Sequence, residues 1–281
     1  MVIPLSVLSQ LTAEQVLEVK ALVLAAKAVD GVKPLSDAVL LQLRAAGVHV
    51  LAGPHPLVGY AHLEDGAAEL CVHPEHRRQG IGRTLVERLL ELSPTLRLWA
   101  RAENPGATAL AAALGFTRGR VLLQMRRPLA DPLPTVTLPA GVTVRTFQSD
   151  DAAAVAELNA RAFAHHPEQG RWRVDDIVAR EAEPWFAADG FFLAHKGSRL
   201  VGFHWTKVVD GVGEVYVVGV DPAEQGNGLG RALTLLGLHH LRDLGLPEAL
   251  LYVDQDNAAA VHVYEKLGFA TACADVSYLR A

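Results

Sequence analysis

Glu214-Val-Tyr-Val-Val-Gly-Val-Asp-Pro-Ala-Glu-Gln225-Gly-Asn-Gly228-Leu-Gly230-Arg231 reads as an apolar run, a sharp turn at proline, a glycine-rich loop and the start of a helix. Such a loop turns unpaired backbone N–H groups and a helix N-terminus toward one point, where an anionic phosphate can sit. An earlier stretch, Glu69-Leu-Cys-Val-His-Pro-Glu-His-Arg77-Arg-Gln-Gly80-Ile-Gly82-Arg83, has the same plan.

The echo extends well beyond the loops. Aligning Arg77 with Gln225 also brings together Pro74 and Pro222, Gly80 and Gly228, Gly82 and Gly230, and Arg83 and Arg231. Further on, Asn104 meets Asn257 and Leu114-Gly-Phe116 meets Leu267-Gly-Phe269, after a small insertion in the second copy. Agreement at so many ordered positions marks a tandem duplication. Between the copies, Arg127-Pro128-Leu-Ala-Asp-Pro132-Leu-Pro134-Thr-Val-Thr-Leu-Pro139-Ala-Gly141 carries four prolines, which favour extended backbone over helix or central strand. The sequence therefore predicts a first domain over 1–128, a linker over 129–141 and a second domain over 142–281.

In the second half, period and punctuation predict a strand at 142–146, a helix over 150–164 and alternating strands at 191–195 and 201–208. A central strand follows at 214–220 and a helix over 229–244, stopped by Gly245 and Pro247. Leu250–Val253 reads as a buried strand, Asn257 opens a helix, and 270–279 is the last strand. This is an α+β (α/β) fold: two copies of a mixed, mostly antiparallel sheet flanked by helices.

Composition sets the outer limits. A length of 281 residues favours two domains, and 50% apolar with 20% charged residues gives ample core. A formal net charge of −5 offers no global field for nucleic acid, so Arg77, Arg78 and Arg83 at the loop point to a small anion. The two cysteines, Cys71 and Cys273, sit in no metal or redox spacing and are expected to be reduced thiols. Among the twelve histidines no metal spacing occurs, so His165-His166 and His239-His240 read as a loop pair and a helix-surface pair, and no metal is expected. With neither a leader sequence nor a membrane-length apolar run, a cytoplasmic monomer is expected, without membrane or nucleic-acid partners.

Neither loop ends in the Gly-Lys-Ser/Thr of a Walker motif, and neither keeps the GxGxxG of a dinucleotide fold. Both fit [Arg/Gln]-x-x-Gly-x-Gly between strand and helix, and here the chain resembles the GNAT acyltransferase superfamily, once per half. The resemblance implies acetyl-CoA as co-substrate. Its pyrophosphate and pantetheine would meet Val218, Gly219, Val220, Gln225, Gly226, Asn227, Gly228, Leu229, Gly230 and Arg231. The helix Asn257, Ala258, Ala259, Ala260, Val261 and His262 would add to these. The first-half counterparts are Leu70, Cys71, Val72, Arg77, Arg78, Gln79, Gly80, Ile81, Gly82 and Arg83.

Acetyl transfer to an amine needs a free-base nucleophile, a donor for the developing oxyanion and an acid for the leaving thiolate. In this superfamily a carboxylate on the central strand and a tyrosine on the late helix often serve. Glu214 and Tyr264 are the candidates, with the Val220 amide as oxyanion donor. Under the alignment Gly66 and Ala111 stand at those positions in the first half. Glu69 lies three residues off that register, on the opposite strand face under period two. The first half is therefore expected to bind coenzyme or support structure without chemistry.

Within tandem GNAT proteins, Val29–Asp37, Phe163–Gly170, Gly219–Pro222 with Gly228–Thr234, Gly237–His240 and Leu250–Asp254 resemble the mycothiol synthase family. That resemblance implies acetylation of the cysteinyl amine of a cysteine–glucosamine–inositol conjugate. It also implies substrate contacts at Asp37, Glu168, Lys207, Glu214 and Tyr252. Two alternatives stay open at this point: another amine (aminoglycoside, polyamine or protein N-terminus) and a non-enzymatic coenzyme A sensor.

Overall fold

The computed structural model describes residues 3–166 and 169–281; Glu168 therefore lies outside the described residues. The chain runs β1 (Leu5–Leu8), α1 (Ala13–Asp30), α2 (Asp37–Gln42), β2 (Val48–Ala52), β3 (Gly59–Glu64), β4 (Ala67–Val72), α3 (Ile81–Leu92), β5 (Leu96–Ala100) and α4 (Pro105–Ala113). It continues through β6 (Thr117–Pro128), β7 (Val142–Thr146), α5 (Ala152–Ala162), α6 (Val174–Glu181), β8 (Phe191–Lys196), β9 (Arg199–Val209) and β10 (Val212–Val220). The last elements are α7 (Leu229–Asp243), β11 (Glu248–Asp254), α8 (Ala258–Lys266) and β12 (Ala270–Arg280).

Two compact units result. The first holds residues up to Leu123, Asp254–Asp256 and Cys273–Ala281; the second holds Gln124–Val253 and Asn257–Ala272. In the first, the strand order is β1-β2-β3-β4-β5-β12. Pairing is antiparallel from β1 to β4, parallel between β4 and β5, and antiparallel between β5 and β12. The α1 helix opens with a capping box from Thr12 and Gln15 and closes at Gly31, whose φ of 75° suits a residue without a side chain. Its buried stripe (Val16, Val19, Leu22, Val23, Ala26) packs with Leu51, Tyr60 and Cys71 on one sheet face. Ile81, Leu85, Val86 and Leu89 of α3 pack on the other, with Val50, Ala61 and Leu98.

The second unit repeats the layering. Its strand order is β6-β11-β10-β9-β8-β7, with β10 parallel to β11 and antiparallel to β9. Val155 and Leu158 of α5 and Ile177 of α6 cover Phe203, Trp205 and Val217. Leu229 and Leu233 of α7 cover Ala194 and Val201 on the opposite face. No helix among the described residues is long and apolar enough to cross a membrane.

Two features depart from the sequence reading. The last strand, expected in the second domain, belongs from Cys273 onward to the first unit, where it pairs with β5 and buries Val276 and Tyr278 in that core. Alternation marks a strand but not which sheet edge it will cover. The α6 helix, in a stretch to which the sequence reading assigned no element, is short, and its only buried residue is Ile177.

Candidate active site

Both glycine loops have the cradle geometry that their spacing implies. In the first, Pro74 opens a 3₁₀ turn and Arg78 adopts a φ of 63°. Gly80 follows at 87° as the N-cap of α3, with no side chain capping the helix. In the second, Pro222 opens the turn and Gly226 and Gly228 take φ values of 80° and 88°. Each helix thus starts with orphan N–H groups and the positive end of its dipole facing the loop.

The strand before each loop supplies a second set of donors. β4 pairs with β5 only at Ala67–Arg97 and Ala68–Leu98, and β10 pairs with β11 only from Gly213 to Val215. Beyond those pairs the parallel strands diverge. The His73 amide bonds back to Val58 and the Asp221 amide to Val201. Alternation therefore turns the amides of Leu70, Val72, Val218 and Val220 toward the splayed side. An extended pantetheine arm can pair with such an edge, and the Val220 amide lies at its end.

In the first unit these elements enclose a cavity of about 520 Å³. Leu70, Cys71, Val72, Arg77, Arg78, Gly80, Ile81, Gly82 and Arg83 all line it. Gln79 does not; it is exposed and donates to the Glu75 carbonyl. Arg77 lines the wall, but its guanidinium forms a bidentate pair with Asp30 at 2.7 Å and donates to the Val72 carbonyl. It braces the turn rather than reaching into the loop. Trp99, Arg101 and Tyr278 also line it, and the glycine spacing does not point to them because they lie on β5, just after it and on β12. Burial pushes the Cys71 thiol up to about 12, which keeps it protonated.

The second loop is tied down more tightly. The Asn227 carboxamide accepts from the Leu229 amide at 3.1 Å, so one N–H of the cradle is already engaged. Gln225 donates to the Val220 carbonyl, and the buried Glu224 beneath the loop is paired with Lys196 and Arg199. Asn257 caps α8 by accepting from Ala260, as Asn104 caps α4 by accepting from Gly106 and Ala107. Ala258, Ala259, Ala260, Val261 and His262 form the first turns of α8.

The placement of the candidate side chains follows from one irregularity. The β10–β9 ladder pairs Val217 with Trp205 and Val215 with Thr206, leaving Tyr216 as an extra, bulged residue. Without it, Glu214 and Val217, three apart, would face opposite ways. With it, Glu214 stands opposite Lys207 on the face that also carries Trp205 and Val217. Lys207 is buried at 9% exposure. Tyr252, two residues beyond Leu250 (the β11 partner of Glu214), shares that face and accepts from Gln124 at 2.7 Å. Asp37 opens α2 in the first unit and pairs with Lys33 at 3.2 Å.

The bulge also corrects the alignment of the two halves. The β3–β4 ladder is unbroken from Gly59–Val72 to Glu64–Ala67. The counterpart of Glu214 is therefore Ala67 rather than Gly66, which is a turn residue with a φ of 74°. Glu69 takes the place of Val217, on the same face as its unit's Glu214 counterpart and not the opposite one. Its carboxylate is committed: it accepts from the Ser36 amide at 2.5 Å and from Arg101 at 3.0 Å. Arg101 also pairs with the buried Asp275 at 2.5 Å.

Tyr264 lies on α8, where its carbonyl accepts from Phe269, as the Ala111 carbonyl accepts from Phe116. That shared bond fixes the equivalence of Tyr264 and Ala111. Burial pushes the Tyr264 hydroxyl up to about 12, so it holds its proton at neutral pH. Its ring is half-buried against Phe269.

The acetyltransferase (GNAT) family profile matches residues 44–116 and 153–269, most of both halves. The chain belongs to the acetyltransferase (GNAT) family. It is 55% identical to a mycothiol acetyltransferase of Thermomonospora curvata, over 95% of this chain and 94% of that one. It is 52% identical to another of Geodermatophilus obscurus, over 94% and 93%. Among solved structures it is similar to a GCN5-related N-acetyltransferase from Sphaerobacter thermophilus (TM-score 0.75, 23% identity, 99% and 96% of the two chains). A tandem GNAT protein from the clavulanic acid biosynthesis pathway gives a TM-score of 0.74 at 22% identity, over 99% and 98%. At those identities the likeness bears on the fold, which is the tandem GNAT fold. As a GNAT acetyltransferase the chain is an enzyme, and the family's co-substrate is acetyl-CoA.

Proposed function

We propose that this chain acetylates the cysteinyl amine of a cysteine–glucosamine–inositol conjugate, the last step of mycothiol formation, and that the second unit alone performs the chemistry. The carrying observation is the asymmetry of the repeat: Glu214 and Tyr264 stand where the first unit has Ala67 and Ala111. Half-identity to mycothiol acetyltransferases over nearly the whole chain supports the choice of amine.

Transfer runs directly within a ternary complex. Glu214 accepts the ammonium proton of the acceptor, and the freed amine attacks the thioester carbonyl. The Val220 amide donates to the developing oxyanion, Tyr264 gives its proton to the departing thiolate, and the second proton lost by the amine nitrogen as the amide forms restores the tyrosine. Lys207, Glu214 and Tyr252 are the second unit's side chains assigned to the hydroxylated, cationic acceptor, and the family resemblance alone adds Asp37 and Glu168 to them. The Gln225–Arg231 loop and the start of α8 hold the acetyl-CoA that reacts. The first cradle binds the same coenzyme without turning it over. The protein is assigned as a cytoplasmic monomer.

The test is acetylation of cysteinyl-glucosaminyl-inositol against simple amines, followed as thiol release. Preference for the conjugate by several orders of magnitude in kcat/KM is expected; turnover of simple amines alone overturns the substrate. Glu214→Gln is expected to lower kcat by about 10²–10⁴, the usual worth of a positioned base. Turnover equal to the unmodified chain at neutral pH would sink its assignment.

A further inference from the structure

The steps above give no part to an aromatic cluster on the acceptor face of the second unit. Trp185 and Tyr216 meet with ring centroids 5.2 Å apart, and Trp172 lies 6.1 Å from Tyr216. Two cations grip this cluster. Lys207 Nζ sits 5.0 Å from the Trp185 centroid and 5.3 Å from that of Tyr216. Arg180, on α6, stacks its guanidinium 4.1 Å from the Trp172 centroid. Arg180 Nε donates to the Tyr216 hydroxyl at 2.9 Å, while Nη1 donates to the Asp176 carbonyl at 2.8 Å.

Tyr216 is the bulge residue, the one position of β10 without a partner in the β9 ladder, so the ladder does not fix its ring. Trp172, Trp185 and Trp205 pack around that ring, and the bond from Arg180 fixes its hydroxyl. That ring is in turn part of the seat of Lys207, which stands directly across the ladder from Glu214. A flexible four-carbon stem ending in an ammonium needs such a seat to act as a fixed donor.

We propose that Arg180 is a positioning residue for acetyl transfer: through the Tyr216 hydroxyl it holds the Lys207 ammonium beside Glu214, where it orients a hydroxylated amine acceptor. The proposal rests on the second unit being the one that transfers acetyl groups.

Tyr216→Phe keeps the ring under Lys207 and removes only the acceptor of the Arg180 bond; Arg180→Lys keeps the charge and removes the fork. Each is measured with the amine that the unmodified chain turns over. The expected result is a fall of about tenfold in kcat/KM for the amine in each single variant, within the coupling range of contacting groups. The KM for acetyl-CoA and the melting temperature stay unchanged. The double variant falls no further than either single, because each already breaks the Arg180–Tyr216 bond on which the positioning depends. Multiplicative losses, a parallel rise in the acetyl-CoA KM, or full activity in Tyr216→Phe would each overturn the proposal. Should Arg180→Lys fail to fold, Tyr216→Phe alone still decides. If the unmodified chain acetylates no amine, it is the parent reading that fails.

Discussion

Lowering the pH from about 7.5 to about 5 should loosen the packing of α7 through a single imidazole. His204 is fully buried on β9, with Nδ1 2.7 Å from the carbonyl of Leu233 on α7. A carbonyl only accepts, so Nδ1 carries the proton and the neutral ring presents a bare Nε2. That nitrogen is buried without a hydrogen-bond partner among the described residues. Burial lowers the pKa from 6.5 to about 4, against the raising effect of the Leu233 carbonyl and with a small further lowering from His240. The unfolded chain therefore takes up the proton first as pH falls, and the folded state loses stability from about pH 6.5 down to about pH 4. At 1.36 kcal/mol per unit, the full loss is about 3 kcal/mol, of which about 2 kcal/mol is felt by pH 5.

The assay is denaturant unfolding at the two pH values for the unmodified chain and for His204→Gln, which is neutral at both. The unmodified chain should lose about 2 kcal/mol more than the variant between them. His49 and His62, whose pKa values are also lowered mainly by burial, contribute alike to both proteins and cancel in the comparison. Equal pH dependence in the two proteins would refute the reasoning: it would mean that His204 is already charged when folded, or solvated through openings that the packing denies.

Gly237→Ala places a methyl group inside the His204 ring, so a loss of about 3 kcal/mol or more is expected in unfolding experiments, with recovery when His204→Ala is added. Arg101→Ala strips the shared counter-ion from the buried Glu69 and Asp275 and should cost about 3–5 kcal/mol, partly restored by Glu69→Gln. Gly80→Ala and Gly228→Ala each force an alanine into left-handed backbone, a strain of about 1–2 kcal/mol, with open space around the new methyl. Only Gly228→Ala should raise the steady-state KM for acetyl-CoA; an equal effect of Gly80→Ala would place turnover in both units.

The sequence reading reached the glycine cradles because their demands are local. A left-handed residue before a helix needs glycine, a turn before it favours proline, and a capping asparagine opens the later helix; each leaves a fixed letter at a fixed spacing. What it missed required knowledge of pairing. The edge that β12 covers depends on the open side of β5, distant in sequence though adjacent in space, and no periodicity in 270–280 records that choice. The bulge is the sharper case. Tyr216 is an ordinary strand residue by composition, and an alignment anchored on Pro74 and Pro222 passes over it without a gap. Only the register between β9 and β10 reveals that one residue has been left out of the ladder.

That one residue separates the two copies more deeply than the missing side chains do. A glutamate written at position 67 of the unbulged β4 would face Glu64 across the ladder, like charge against like, where Glu214 faces Lys207. It would also lack the aromatic seat, and the neighbouring face is filled by the Glu69–Arg101–Asp275 network. Restoring activity to the first unit thus needs a bulge, a cation opposite the base and removal of that network together. Ala67→Glu with Ala111→Tyr should leave the acetyl transfer of a Glu214→Gln chain unrestored. Recovery of turnover in that triple variant would show that the carboxylate and the tyrosine suffice, and that the bulge carries no part of the chemistry.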